Sequence, residues 1–179
     1  MGGVELKKYD VAIVGAGPAG VFAAYELAEK KPGLSIVVLE SGNDIYHRCC
    51  PIAAGKVKSC IGCKPCSIMR GFGGAGAFSD GKYNFTTQFG GWLGEYISSA
   101  EVMRLIEYVD AINMRHGAPA KVFSTKGSRI GKLALEHDLH LLEASVRHLG
   151  TENNLKMLEK TYEYMKDRVE FRFHEPVRN

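Results

Sequence analysis

The sequence predicts an α/β protein with a central parallel sheet. Three observations carry that prediction. A strand, a helix and a second strand follow one another within 32 residues near the N-terminus. A glycine-rich turn joins the first strand to the helix. A further alternating strand lies near the other end of the chain.

The first strand is Tyr9 to Val14, a short β-branched run ended by Gly15. The helix is Ala19 to Lys31, rich in Ala, Leu and Glu and stopped by Pro32-Gly33. Ser35 to Glu40 is the second buried strand. This is the size of a βαβ unit with a helical crossover. Residues 41–94 hold no long helix and are rich in Gly, Cys, Lys and Pro. A stretch of that length without regular structure is uncommon unless it binds something.

Ser98 to Glu101 forms a capping box, with Val102, Leu105, Ile106, Val109 and Ile112 at helical spacing up to about Arg115. Gly117-Ala-Pro119 ends that helix. A shorter helix is expected around Lys132 to Glu136. Thr151 can cap another, with Leu155, Leu158, Tyr162 and Met165 on one face. Val169, Phe171 and Phe173 alternate with Glu170, Arg172 and His174, which predicts a half-buried strand. No internal repeat or low-complexity segment is present.

Length and composition set limits on function. The chain has 179 residues, 45% hydrophobic and 24% charged, with a net charge of +3. That suits a single domain spanning 1–179 with a sizeable core. The charge is too mild to make nucleic acid or an anionic membrane the main partner. Met1 to Lys8 holds no apolar stretch of signal-peptide length, and Leu6 stands where a myristoylation motif needs Ser or Thr. No run approaches a membrane span, so the expectation is a soluble, cytoplasmic protein.

Gly15-Ala16-Gly17-Pro18-Ala19-Gly20 reads G-x-G-x-x-G, and Glu40 ends the next strand twenty residues after Gly20. In a strand–turn–helix context this is a dinucleotide fingerprint. Gly15 permits the tight turn, Gly17 lets the backbone approach a pyrophosphate, and Gly20 lets helix and strand pack closely. The helix N-terminus offers N–H groups to the phosphates. Glu40 can accept from both ribose hydroxyls and would repel a 2′-phosphate, which disfavours NADP. The expected class is thus a Rossmann-like FAD/NAD(P)-binding domain, with Gly15, Gly17, Pro18, Ala19, Gly20, Glu40 and Ser41 as its cofactor-binding residues. The Gly-Pro-Ala-Gly form of the motif, so early in the chain, leans to FAD over NAD.

A second glycine cluster runs from Arg70 to Lys82, with glycines at 71, 73, 74, 76 and 81. Such density permits close backbone approach to a flat or phosphorylated ligand, and its amides suit an anion nest. Phe72 and Phe78 argue against a flexible linker.

All five cysteines lie between 49 and 66. Cys60, Cys63 and Cys66 form C-x-x-C-x-x-C, and Cys49 or Cys50 can add a fourth ligand. The set Cys50, Cys60, Cys63 and Cys66 suits a corner of a [4Fe–4S] cluster or tetrahedral zinc, with His47 as another zinc ligand. A redox-active dithiol and plain reduced surface thiols are the other readings. Arg48, Lys56, Lys58 and Lys64 would favour thiolates. Of the six histidines none forms a metal pair at H-x-x-x-H spacing, and no G-x-S-x-G nucleophile motif occurs.

Cys50-Pro51, Cys60-x-x-Cys63-x-x-Cys66, Gly73 to Lys82 and Phe89-Gly-Gly-Trp-Leu93 follow the fingerprint in that order. Together they resemble an uncharacterised family of prokaryotic FAD-dependent dehydrogenases with a glutathione-reductase-like fold. The resemblance continues through Arg147-His148-Leu-Gly-Thr151 to the last strand. It implies that Gly73, Gly74, Ala75, Gly76, Ser79 and Asp80 lie along the pyrophosphate and isoalloxazine. It implies also that the backbone near Val177 approaches the adenine and that His148 stands near substrate or flavin. Members of that family are more than twice as long, with a later Gly-Asp motif over the flavin and a separate substrate region. The chain is therefore expected to be the N-terminal, incomplete portion of such a fold, completed by a partner chain or a homo-oligomer. Its function is expected to be that of an FAD-dependent oxidoreductase or its FAD-binding part, passing electrons to a cysteine-held centre. The alternatives are a non-catalytic cofactor-binding or scaffold subunit, and an NAD-binding module with zinc. The catalytic residues, the small-molecule substrate and the electron partner are not defined by the sequence.

Overall fold

The computed structural model describes residues 7–178. The leader and myristoylation readings on Met1 to Leu6 lie outside them. The chain divides into two compact units. One joins the N-terminal residues through Phe78 with Leu158 and the residues after it, and the other is Ser79–Met157. The sequence reading takes 1–179 as one domain; the structure gives each unit its own sheet.

In the first unit β1 is Val11–Val14, α1 is Pro18–Lys30 and β2 is Ile36–Glu40. The last strand, β6, is Glu170–Phe173. All three strands are parallel, in the order β1-β2-β6. This is the 3-2-1 half of a doubly wound sheet, with β6 in the third place. β2 lies between two partners, so Ile36, Val37 and Val38 are all buried. That is why its five residues read as a continuous apolar run rather than an alternating one. Among the described residues β1 pairs with β2 alone. Its Ala12 and Val14 are exposed, Val14 by 67%.

α1 covers this sheet with Val21, Ala24, Tyr25 and Ala28, a stripe at helical spacing. Tyr25 of α1 stacks on Tyr164, and nearby Tyr162 belongs to an aromatic cluster. Phe72 meets Tyr162 edge-on at 5.1 Å and Phe171 at 5.5 Å, and Phe171 stacks on Phe173. The alternating aromatics of β6 thus form a real core face, as its sequence pattern predicts.

The second unit is built on an antiparallel sheet with order β3-β5-β4. β3 is Lys82–Asn84, β4 Phe123–Ser124 and β5 Ser145–His148. The helices are α2, Ser99–Arg115, and α3, Arg129–Glu136. α4, Thr151–Met165, begins in this unit and ends in the other. The serine half of the capping box forms: the Ser98 hydroxyl accepts from the Glu101 N–H at 3.2 Å, while the Glu101 carboxylate faces Arg104 at 3.7 Å. Arg147 of β5 grips Asp110 of α2 with two hydrogen bonds, 2.6 and 2.7 Å, and both residues are buried. No helix among the described residues is long and apolar enough to cross a membrane.

Candidate functional site

The fingerprint folds as a strand, a tight turn and a helix. Gly15 donates to the Leu39 carbonyl at 2.8 Å, which anchors the turn to β2. Its φ of +93° is a conformation that favours glycine. Gly20 sits in the first turn of α1, where an added Cβ would lie 2.0 Å from the Gly15 carbonyl oxygen. Helix and strand can approach this closely only because that position carries no side chain.

Gly17 is different. It is the N-cap of α1, with φ −71°, and no side chain caps the helix there. A Cβ at Gly17 would meet nothing within 4 Å. Pro18 follows at N1, pre-set for the helix and lacking an N–H. The amides of Ala19 and Gly20 have no acceptor in the preceding turn. The helix start therefore presents donor groups and the positive end of its dipole to open space. That arrangement suits a phosphate.

Glu40 is buried at the end of β2, 6% exposed. One carboxylate oxygen accepts from the Ala16 N–H at 2.7 Å. The other accepts from the N–H groups of Gly42 at 2.7 Å and Gly71 at 3.0 Å. The Ser41 hydroxyl adds a contact at 3.2 Å. Burial alone would raise the pKa of this group. The three backbone donors and Ser41 outweigh it, so the carboxyl lies below its ordinary value. Sequence reasoning gave Glu40 a ribose; the structure first uses it as a brace between three chain segments. The position taken by Ser41 is the most weakly held of the four.

The second glycine cluster packs against the fingerprint. Gly73 donates to the Ala16 carbonyl at 2.8 Å, and Phe72 to the Asn43 carbonyl at 3.0 Å. A Cβ on Gly74 would lie 3.1 Å from the Gly17 Cα and 3.3 Å from Pro18. Gly74, Ala75 and Gly76 belong to a short 3₁₀ turn, Gly74–Phe78, whose start flanks the N-terminus of α1. Ser79 and Asp80 fall in the second unit. There Ser79 accepts from the Gly81 N–H, and Asp80 pairs with Lys82 at 2.7 Å on the surface. That pairing holds the Asp80 carboxyl below its ordinary range. His148 is exposed, opposite Lys82 in the β3–β5 ladder. Val177 follows β6 and is 54% exposed.

Sequence reasoning treated Arg48 only as a charge near the cysteines. The structure buries it inside the loop that carries the second glycine cluster. It donates to the carbonyls of Ser67, Ile68, Phe72 and Gly74 at 2.6 to 3.0 Å. It also lies over the Phe78 ring, 4.9 Å from its centre. Burial lowers its pKa, opposed by Glu40 and Cys66. The available signal was the glycine run itself. Irregular backbone leaves carbonyls without ladder partners, and a donor-rich side chain has to reach them.

Cys50, Cys60, Cys63 and Cys66 line one small cavity of about 30 Å³, shared with Pro51, Ile52, Val57 and Ile61. Cys60 is exposed and the other three are half-buried; all are free thiols. Among the described residues no three His, Cys, Asp or Glu side chains are grouped to hold a metal ion. The expected iron–sulfur or zinc set on these cysteines is thus not formed by the side chains as they stand. Apolar side chains of the same loop share the space that a convergent ligand set would enclose.

The fold is a Rossmann-like α/β architecture with a parallel sheet. A family model described as the Thi4 family matches residues 3–45, the stretch that carries the fingerprint. An uncharacterized protein from Clostridium beijerinckii is 31% identical over 159 residues, which covers 88% of this chain and 27% of that protein. An uncharacterized protein from Methanosarcina barkeri is 44% identical over 52 residues, covering 29% of this chain and 12% of that one. The chain therefore spans little more than a quarter of the length of the first relative. Among solved structures, L-amino acid deaminase from Proteus myxofaciens aligns over 97% of this chain and 40% of its own. The TM-score is 0.36 and the identity 15%. L-amino acid deaminase from Proteus vulgaris aligns with the same TM-score at 16% identity, over 96% of this chain and 41% of that one.

Proposed function

We infer that this chain is the FAD-binding portion of a flavin-dependent oxidoreductase. The observation that carries the reading is the open space at Gly17. A glycine with an ordinary φ faces nothing, beside an uncapped helix start and against Gly74. A side chain there would fill the cradle without disturbing the protein. The residues fit the pyrophosphate of a dinucleotide: Gly15, Gly17, Pro18, Ala19 and Gly20 on one side, Gly73 to Gly76 on the other. A ribose hydroxyl would replace the Ser41 hydroxyl on Glu40. The flavin, when bound, supplies the electron-accepting chemistry. The chain's own part is to hold it and to keep water from its phosphates. The lean to FAD over NAD rests on the form of the fingerprint.

The test is titration of the 179-residue chain with FAD, followed by the visible spectrum of the complex. Uptake with a two-band flavin spectrum is expected. Gly17→Val should abolish it while circular dichroism and thermal stability stay unchanged. A chain that takes up NAD but not FAD would replace the cofactor; an unchanged FAD titration in Gly17→Val would overturn the site.

A second reading has one observation behind it: β1, paired among the described residues with β2 alone, exposes Ala12 and Val14. The open edge suits a further strand beside β1, and the exposed side chains suit a segment or partner chain packed on that face of the sheet. The protein would then act as a cofactor-holding subunit. FAD uptake that appears only on co-expression with such a chain would favour it. The cysteines take no step in either reading as they stand. Protein purified without oxygen would show a broad absorbance bleached by dithionite if they gathered an iron–sulfur cluster.

A further inference from the structure

Cys63 and Cys66 stand three residues apart on the wall of one cavity of about 30 Å³. The chain bends at Lys64 and Pro65 between them. A four-residue turn brings its ends within about 7 Å, and that is the span a disulfide crosses. Both cysteines are half-buried free thiols. The Cys66 end of the bend is fixed. Its carbonyl accepts from the Met69 and Arg70 amides at 3.1 and 2.9 Å. Arg48 holds the next two carbonyls, those of Ser67 and Ile68. Cys60 precedes Cys63 at the same spacing, but it is exposed, and Ile61 and Gly62 form no bend between that pair.

Two thiols are too few for a tetrahedral metal site, and among the described residues no third ligand joins them. Their own chemistry is to close on each other. The product carries no S–H and suits a cavity whose other walls include Ile52, Val57 and Ile61. We propose that Cys63 and Cys66 are a reversible dithiol–disulfide pair that exchanges with a small-molecule disulfide. One cysteine thiolate attacks the small disulfide, bonds to one of its sulfurs and releases the other as a thiol. The second cysteine thiolate then attacks the first cysteine's sulfur and releases the remaining thiol. The two cysteines lose two electrons and two protons, and the small disulfide takes up both to become two thiols. The pair lies within the first unit and is independent of the flavin reading.

The test uses the full 179-residue chain, with glutathione as the probe. The reduced, folded chain is equilibrated with oxidised and reduced glutathione, trapped by alkylation and mapped by tandem mass spectrometry. Trypsin releases residues 59–70 as one peptide holding Cys60, Cys63 and Cys66, because Pro65 blocks cleavage after Lys64. The expected product has a Cys63–Cys66 disulfide and an alkylated Cys60, and dithiothreitol should reverse it. At millimolar glutathione it should exceed the mixed disulfide by about tenfold or more, since a neighbouring thiol acts at a high effective concentration. Cys60→Ser should leave this product in place, and Cys66→Ser should stop at the mixed disulfide. Mixed disulfides alone in the folded chain would overturn the proposal. So would a folded chain whose main disulfide includes Cys50 or Cys60, or one in which Cys60→Ser abolishes the product.

Discussion

Glu40 and Gly71, thirty-one residues apart, meet through a 3.0 Å hydrogen bond from the glycine amide to the carboxylate. The same carboxylate takes the amides of Ala16 and Gly42. One side chain thus ties the fingerprint, the end of β2 and the second glycine cluster together. Close approach makes the tie possible. A Cβ on Gly42 would lie 2.5 Å from the Gly71 nitrogen, and one on Gly71 would lie 2.6 Å from the Asn43 carbonyl oxygen.

A carboxylate that gathers amides is worth more charged than neutral. Its folded pKa lies below the ordinary 4.5. Its contribution is therefore present above that value and is lost as pH falls through the lower, folded pKa. Glu40→Gln keeps the shape but turns an amide donor toward other donors. It should destabilise the chain by about 2 kcal/mol near neutral pH. Urea unfolding between pH 3 and pH 7 should show a smaller acid loss in the variant, taking those limits from the ordinary carboxylate range of about 4. Equal acid sensitivity in both proteins would remove Glu40 from this role.

Arg48 has the complementary task of holding carbonyls. Arg48→Met would leave four carbonyl groups short of a donor, at a cost of about 3 kcal/mol or more. Arg48→Lys should recover little, because an ammonium cannot fork toward Ser67, Phe72 and Gly74 together. Hydrogen exchange at the Phe72 and Gly73 amides would show the loosening. Full protection in Arg48→Lys would show that charge alone suffices.

Much of this was legible in the chain. The βαβ unit was readable because its signals are local: a β-branched run, three spaced glycines, and an alanine-rich helix closed by Pro32-Gly33. α2 announced itself through Ser98 and Glu101, and β6 through the alternation of Phe171 and Phe173. The second sheet was not readable. β3, β4 and β5 have two to four residues each, too few for a period to register, and they exist through pairings such as Tyr83 with Arg147. The roles of Glu40 and Arg48 were hidden for the same reason. Each is set by partners that lie far away in sequence. The cysteine spacing was legible, but spacing does not say which apolar neighbours share the loop.

Tyr46 offers a surface check on the first unit. Its hydroxyl donates to Glu163 at 2.7 Å. That bond, helped by burial, pushes its pKa from 10.0 up to about 12. The bond stabilises the fold below the ordinary tyrosine value and is lost as pH rises through the higher, folded one. Ultraviolet titration should show Tyr46 ionising late, as do Tyr83, Tyr162 and Tyr164, whose pKa values are also raised. Glu163→Gln should bring Tyr46 back toward 10.0. A titration unchanged by the substitution would dissolve the pairing of α4 with the loop after β2.

Gly20 separates folding from binding when it is compared with Gly17. At Gly20 a methyl group would drive into the Gly15 carbonyl, which is backbone and cannot swing away. Gly20→Ala should therefore cost about 3 kcal/mol or more by overpacking, with cofactor present or absent. Thermal unfolding of the apo chain reads this directly. A Gly20→Ala protein of unchanged stability would mean that α1 and β1 do not approach as closely as the fingerprint requires.

The Asp110–Arg147 pair tests the second unit by itself. Arg147 is held above its ordinary pKa by Asp110, and it also donates to the Pro119 carbonyl. Asp110→Ala leaves a buried guanidinium with one partner fewer and should cost about 3–5 kcal/mol. Replacing both partners at once, Asp110→Leu with Arg147→Met, removes the stranded charge along with the pair and should restore most of that loss. The comparison matters because Asp110 lines the apolar cavity between α2 and β3. If the double variant is as unstable as the single one, the cost lies in the shape of the α2–β5 contact. If it recovers, the ion pair serves to set the position of α2 against the sheet, and the cavity between α2 and β3 depends on that setting.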